Sequence, residues 1–179
     1  VQEGVAKVLE LKDLRSNIEW HFIGPIQSNK SKDVAENFDW VHSIDRIKIA
    51  QRLNDQRPSH LPPLEVCVQV NISGESSKSG IQPDDLVDIS QKISAMPHLR
   101  LRGLMSIPEP TDDVESQRKS HHQLSELLIK LQQSTALDHQ KLQLDTLSMG
   151  MSSDIEAAIA EGSTMVRVGT AIFGKRTYL

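Results

Sequence analysis

The sequence predicts an α/β domain: a parallel sheet of the (β/α)8 barrel kind, with six of the eight strands present. Three observations lead there. Six short apolar segments alternate with segments of helical periodicity, and no two lie close enough to close a tight hairpin. Strands joined that way run parallel under a cover of helices. The segments are also near-continuously apolar, as strands buried on both faces are. Finally, residues 147–154 and 165–174 read as two strand ends, each opening into a glycine-containing turn, with one helix between them. Turns after the last two strands of a barrel commonly hold a phosphate. An open doubly wound sheet is the alternative, but Gly-x-Gly-x-x-Gly occurs nowhere in the chain, and the paired turns favour the barrel.

The elements follow in order. Val1, Val5, Val8 and Leu9 recur at i, i+4, i+7 and i+8 and predict an amphipathic first helix. Residues 20–23 form an apolar run stopped by Gly24 and Pro25, a buried strand closed by a turn. A short helix starts at Ser28 with Val34 and Ala35 inward, and residues 38–44 make the second strand. Asp45 is placed to cap a helix that carries Ile47, Ala50 and Leu53 on one face. After the loop 57–63, residues 64–72 form the third strand, rich in β-branched side chains. Residues 73–80 are a polar loop, and Pro83 with Asp84 and Asp85 opens a helix that reaches Ala95. The fourth strand, 99–107, ends at Pro108 and Pro110. A long helix over 112–134 follows, with Leu124, Leu127, Leu128 and Leu131 as its inner stripe. Residues 144–149 are the fifth strand. Ser153 and Glu156 have capping-box spacing for a helix that carries Ile155, Ala158 and Ile159, with Gly162 at its C-terminal cap. Residues 164–173 complete the set as the sixth strand.

Composition narrows the function. The chain has 179 residues, the length of one domain with a sizeable core. A net charge of −4 and 3% aromatic residues argue against a nucleic-acid binder, which needs a basic surplus or stacking rings. No apolar run approaches the ~20 residues that span a bilayer, so no membrane segment is expected. The single cysteine, Cys67, excludes an internal disulfide framework and fits a reducing, cytoplasmic compartment. Its place between Val66 and Val68 reads as core. No metal centre is expected: there is no His-Glu-x-x-His, and His121 and His122 diverge by about 100° on a helix.

Six segments in order carry a family resemblance: residues 21–30 (His-Phe-Ile-Gly-Pro-Ile-Gln-Ser-Asn-Lys), 42–46 (His-Ser-Ile-Asp-Arg), 70–72 with 78–80, 101–105 (Leu-Arg-Gly-Leu-Met), 147–152 (Leu-Ser-Met-Gly-Met-Ser) and 166–174 (Val-Arg-Val-Gly-Thr-Ala-Ile-Phe-Gly). Together they resemble the pyridoxal phosphate homeostasis protein family across the whole chain. The resemblance implies the barrel domain of alanine racemase standing alone, pyridoxal 5′-phosphate (PLP) as cofactor, and no established turnover. It implies a non-catalytic carrier or reservoir in vitamin B6 and amino-acid homeostasis. Such a protein passes PLP to PLP-dependent apo-enzymes and is a monomer when full length. It also implies a lysine, at the end of the first barrel strand, that forms the Schiff base with PLP. That lysine is expected upstream of Val1, together with the first two β/α units of a single domain, and no residue of the chain is assigned its role.

The candidate site residues divide by chemistry. Gly150, Met151 and Ser152 stand where a following helix offers free N–H groups to a phosphate, and Gly169 and Thr170 give a second set. The competing reading makes the glycines simple turns and Ser152 a cap. Arg167, among Met165, Val166 and Val168, needs an anionic or acceptor partner if buried. By resemblance it faces the pyridine nitrogen or the phosphate; a salt bridge to a barrel carboxylate is the alternative. His21, Asn71 and Met105 lie on three other strands and are candidates to line the barrel mouth, although Met105 also reads as core. Lys78 and Ser79 lie in a loop after a strand, where a solvated lysine is the favoured reading and a weak second phosphate contact the alternative; Lys30, Lys32 and Lys175 read as surface charges. Two rival functions stay open. A PLP-dependent amino-acid racemase needs a second acid/base group, yet the one tyrosine, Tyr178, sits near the end of the sequence. A binder of another phosphorylated metabolite would use the same turns.

Overall fold

Six strands and seven α-helices alternate along the residues described by a computed structural model, 1–74, 79–137 and 142–174. In order they are α1 (Gln2–Glu10), β1 (His21–Phe22), α2 (Ser31–Asn37), β2 (Trp40–Ile44), α3 (Ile47–Gln56), β3 (Leu64–Gln69), α4 (Leu86–Ser94), β4 (Leu99–Met105), α5 (Val114–Gln132), β5 (Thr146–Met151), α6 (Ile155–Ala160), β6 (Met165–Arg167) and α7 (Thr170–Phe173). Every pairing is parallel, and the strands lie side by side in chain order from β1 to β6. A doubly wound sheet reverses its strand order at a switch point. This one does not, which is the barrel arrangement. Each connection returns the chain to the same edge through a helix, so all strand C-termini gather at one end, the mouth.

The two faces of the sheet differ in chemistry. Alternate residues Val41, Val66, Val68, Leu101, Leu104, Leu147 and Met149 pack with helix residues such as Val34, Ile49, Leu53, Ile93, Leu124 and Leu128 in the main core. The opposite, inner face carries a smaller cluster made of strand residues alone: Trp40, Cys67 and Met105, with Met165 against them. Below it, toward the strand N-termini, Glu65 pairs with Arg100 at 2.6 Å and Arg102 pairs with Asp145 at 2.7 Å. The Arg102 guanidinium lies 5.0 Å from the Trp40 ring centroid, over its face. Cys67 is wholly buried, and burial pushes its thiol up to about 12, so it is an inert core residue.

Several local expectations are corrected. Residues 164–173 are not one strand: β6 ends at Arg167, and Thr170–Phe173 is a helical turn entered through Gly169. A short apolar run such as Ala171-Ile-Phe carries no periodicity that separates strand from helix. Asp45 does not cap α3; it forms an ion pair with Arg46 at 2.8 Å, and α3 has no side-chain cap. The Ser153/Glu156 capping box does not form, because Asp154 occupies the N-cap position of α6. Its carboxylate instead reaches back to the Met151 N–H, a shorter and charge-assisted bond. Pro83–Asp85 is a 3-10 turn ahead of α4. The long helix gains a cap not foreseen, Asp113, which accepts the Ser116 N–H at 2.9 Å.

Candidate functional site

At the mouth, Arg167 is the organising side chain. It leaves the end of β6 on the inner face, half-buried, and spans two neighbouring strands. One terminal nitrogen donates to the Ser148 carbonyl at 2.7 Å and the Ser148 hydroxyl at 2.9 Å; the other donates to the Ser106 carbonyl at 2.9 Å. A guanidinium can serve three acceptors because its donors are fixed in a plane. Burial pulls it below the usual arginine value, and Asp154 and Cys67 act in the opposite sense. Its hydrogen-bonded partners among the described residues are carbonyls and a hydroxyl rather than a barrel carboxylate.

From Arg167 a chain of polar contacts runs across the inner face. The Ser148 hydroxyl meets His42 Nδ1 at 2.7 Å, His42 Nε2 meets His21 Nδ1 at 2.8 Å, and His21 Nε2 meets Glu19 Oε2 at 3.2 Å. Burial, with His21 and Arg167 nearby, holds His42 down at about 3, so it is neutral. The proton positions then follow from chemistry. A carboxylate only accepts, so His21 Nε2 donates to Glu19; with His21 neutral as well, its Nδ1 accepts from His42 Nε2–H. His42 Nδ1 is left as the acceptor of the Ser148 O–H, while Ser148 Oγ accepts from Arg167. Every member of the chain is satisfied with a single direction of donation. The rings are also packed: His21 stacks on Trp40 with centroids 5.3 Å apart, and the Trp40 indole N–H donates to Glu19 at 2.9 Å.

The two terminal turns do meet. Ser152, after β5, accepts the Ala171 N–H at 3.4 Å, which sets its hydroxyl against the start of α7. Gly169 and Thr170 are exposed there, and nothing lies within 4 Å of the place a Gly169 side chain would take. Gly150 and Met151 have other engagements. Gly150 sits at φ +91°, and an added Cβ would stand 2.5 Å from the Ala158 methyl, so the glycine lets α6 pack on β5. The Met151 N–H is taken by Asp154 at 2.7 Å. Met105 is wholly buried in the inner cluster, one strand from Ser148. Asn71 is buried after β3, where its side-chain oxygen accepts from the Ser73 hydroxyl at 3.0 Å and the Gly74 N–H at 3.1 Å, shaping that loop. Lys78, Lys175 and Tyr178 lie outside the described residues; Ser79 is described, and its carbonyl accepts from Gln69 at 3.1 Å.

The structure thus brings together Arg167, Ser152, Gly169 and Thr170 at the strand C-termini, and links His21, at the start of β1, to Arg167 through the inner face. It adds His42, Ser148, Ser106 and Glu19, which sequence reasoning did not single out. The available signal was a histidine and a serine on the inner-facing positions of otherwise apolar strands. The Ser106 hydroxyl is buried without a hydrogen-bond partner beside the carbonyl that holds Arg167. A cavity of about 400 Å³ between α3 and α4 is lined by Ile47, Asn54, Lys92 and Met96 and shares no residue with the mouth. No group of three metal-ligating side chains occurs among the described residues. No helix among them is long and apolar enough to cross a membrane.

Comparison with known proteins agrees with this arrangement. Residues 2–177 match the family described as alanine racemase, N-terminal domain. A pyridoxal phosphate homeostasis protein of Pseudomonas aeruginosa is 57% identical over 178 residues, covering 99% of this chain and 73% of the relative. One from Escherichia coli K12 is 55% identical, covering 99% and 74%. Among solved structures, PipY of Synechococcus elongatus, determined with PLP bound, superimposes with a TM-score of 0.84 at 36% identity, over 97% of this chain and 78% of that one. Alanine racemase of Clostridium difficile 630 gives 0.72 at 19% identity over 97% of this chain and 44% of its own, a likeness of fold. The chain belongs to the pyridoxal phosphate homeostasis protein family, within the alanine racemase N-terminal domain family.

Proposed function

We propose that the protein binds PLP at the strand C-termini and holds it as a carrier or reservoir in cytoplasmic vitamin B6 homeostasis, without turnover of its own. The observation that carries this reading is the junction of Ser152 with the start of α7, one strand from Arg167. A phosphate with charge near −2 needs several hydrogen-bond donors converging on it. The Ser152 hydroxyl and the N–H groups of Gly169 and Thr170 are such donors, and the open space at Gly169 allows close approach. The buried, unpartnered Ser106 hydroxyl is a further polar group that a ligand at this mouth satisfies. PLP supplies an electrophilic carbonyl carbon and an electron-withdrawing ring.

The chain's own residues define what happens around that ring. Arg167 is pulled toward the carbonyls of β4 and β5, away from the α7 turn, and we assign it to the ring nitrogen rather than the phosphate. A guanidinium has no acceptor to offer and does not give up its proton, so it keeps a neighbouring ring nitrogen unprotonated. That weakens the ring as an electron sink and favours storage over catalysis. The relay through Ser148, His42, His21 and Glu19 holds the guanidinium in place. The lysine that the family resemblance calls for is assigned to no residue of this chain. Homologues carry the name of a homeostasis protein. Delivery to PLP-dependent apo-enzymes is part of the same proposal.

The test is a calorimetric titration of the full-length protein with PLP and, separately, with pyridoxal. Affinity for PLP at least about tenfold higher is expected; equal affinities would remove the phosphate site. Incubation with L-alanine and PLP is expected to form D-alanine no faster than PLP alone, and protein-dependent racemisation would overturn the non-catalytic part.

A further inference from the structure

We infer that His121 and Asp154 are positioning residues for the phosphate end of the site, acting through the backbone of the turn between β5 and α6. This rests on the PLP reading above. Asp154 is 8% exposed, and both of its carboxylate oxygens are engaged. Oδ1 accepts the Met151 N–H at 2.7 Å, and Oδ2 faces His121 Nε2 at 3.0 Å. The Asp154 N–H in turn donates to the Met151 carbonyl at 3.2 Å, so the turn is closed from both sides.

His121 comes from α5, 33 residues earlier in the chain, and is wholly buried. Opposite a carboxylate its Nε2 must donate, and its Nδ1 has no hydrogen-bond partner. The bond to Asp154 is therefore the polar task this imidazole performs. Pure packing is better served by an apolar side chain, as Leu124, Leu128 and Leu131 on the same helix show. Keeping a buried imidazole with one nitrogen unmet is destabilising, and what it secures is the position of Asp154.

Two consequences reach the site. The Met151 N–H is withdrawn from the phosphate, which leaves Ser152 and the β6–α7 turn as donors. The Asp154 charge, which would repel a phosphate if free, is spent on two internal donors. Fixing residues 151–154 fixes where the Ser152 hydroxyl stands against the Ala171 N–H.

The experiment compares PLP with pyridoxal binding in the full-length protein and in His121→Leu, Asp154→Ala and His121→Gln. A merely structural role lowers both affinities together; a positioning role lowers their ratio. His121→Leu and Asp154→Ala are expected to cut the PLP-over-pyridoxal ratio about tenfold. His121→Gln, which retains an N–H toward Asp154, keeps it within about twofold. The two disruptive changes sit on different elements, so either one that gives a native circular dichroism spectrum decides the matter. An unchanged ratio in a folded His121→Leu or Asp154→Ala protein overturns the inference while leaving PLP binding intact. A wild type that shows no preference for PLP overturns the phosphate reading itself.

Discussion

Arg167 ties three strands of the mouth through one planar group, and that makes it sensitive to conservative change. Lysine replaces the planar fork, which reaches the Ser148 and Ser106 carbonyls from two separate nitrogens, with one ammonium on a different stem. Arg167→Lys is expected to lower stability by about 1–3 kcal/mol, because buried carbonyls lose their donor, and to weaken PLP binding by at least about tenfold. Urea unfolding and calorimetry check the two effects. His42 gives a pH signature. Its folded value of about 3 lies below the ordinary 6.5, so between those limits the unfolded chain takes a proton that the native state refuses. Stability therefore falls as pH is lowered from about 6.5 toward 3, by up to about 1.4 kcal/mol per pH unit from this group. His42→Gln is expected to flatten that slope in urea midpoints measured between pH 7 and 4.5; an unchanged slope would show that His42 is not held neutral.

At the scale of elements, the β5–α6 unit shows how packing and function share residues. Gly150 has φ +91° and no room for a methyl group beside Ala158. Gly150→Ala is expected to destabilise the fold by roughly 2–4 kcal/mol through strain and overpacking, and a thermal melt of the apo-protein checks it without any ligand. The strand–helix alternation was legible because buried parallel strands are continuous apolar runs, and residues 64–69 and 99–105 needed nothing more. What was not legible depended on tertiary neighbours. No local signal told that Gly150 faces Ala158, or that Asp154 turns its carboxylate back to Met151 instead of leaving Ser153 to cap the helix. The relay was hidden for a related reason. His42 and Ser148 are far apart in sequence, and only the order β2-β3-β4-β5 and its curl toward the inner face bring them together. Arg167 was legible, since an arginine between Val166 and Val168 demands an explanation by itself.

At the scale of the molecule, the sheet separates two kinds of interior. The apolar core between strands and helices holds the fold, and the inner face carries a graded layer. Ion pairs around Glu65 and Asp145 lie at one end, Trp40, Cys67 and Met105 in the middle, and Arg167 at the mouth, from which the polar relay runs across the inner face to His21 and Glu19 beside Trp40. The proposed site lies at the mouth. A ligand that binds only the folded state stabilises it, so the proposed PLP site predicts a gain of about 2.7 kcal/mol for the full-length protein at 100 times the dissociation constant. For a domain of this size that is a rise in Tm of roughly 5–11 °C. Pyridoxal at the same concentration should give a clearly smaller rise. The most direct measurement is a crystal structure of the full-length protein with PLP bound. The phosphate is expected within hydrogen-bonding distance of the Ser152 hydroxyl and the Gly169 and Thr170 N–H groups, with the ring nitrogen facing Arg167. A phosphate bound elsewhere, or a ring nitrogen turned away from Arg167, would contradict the proposed site.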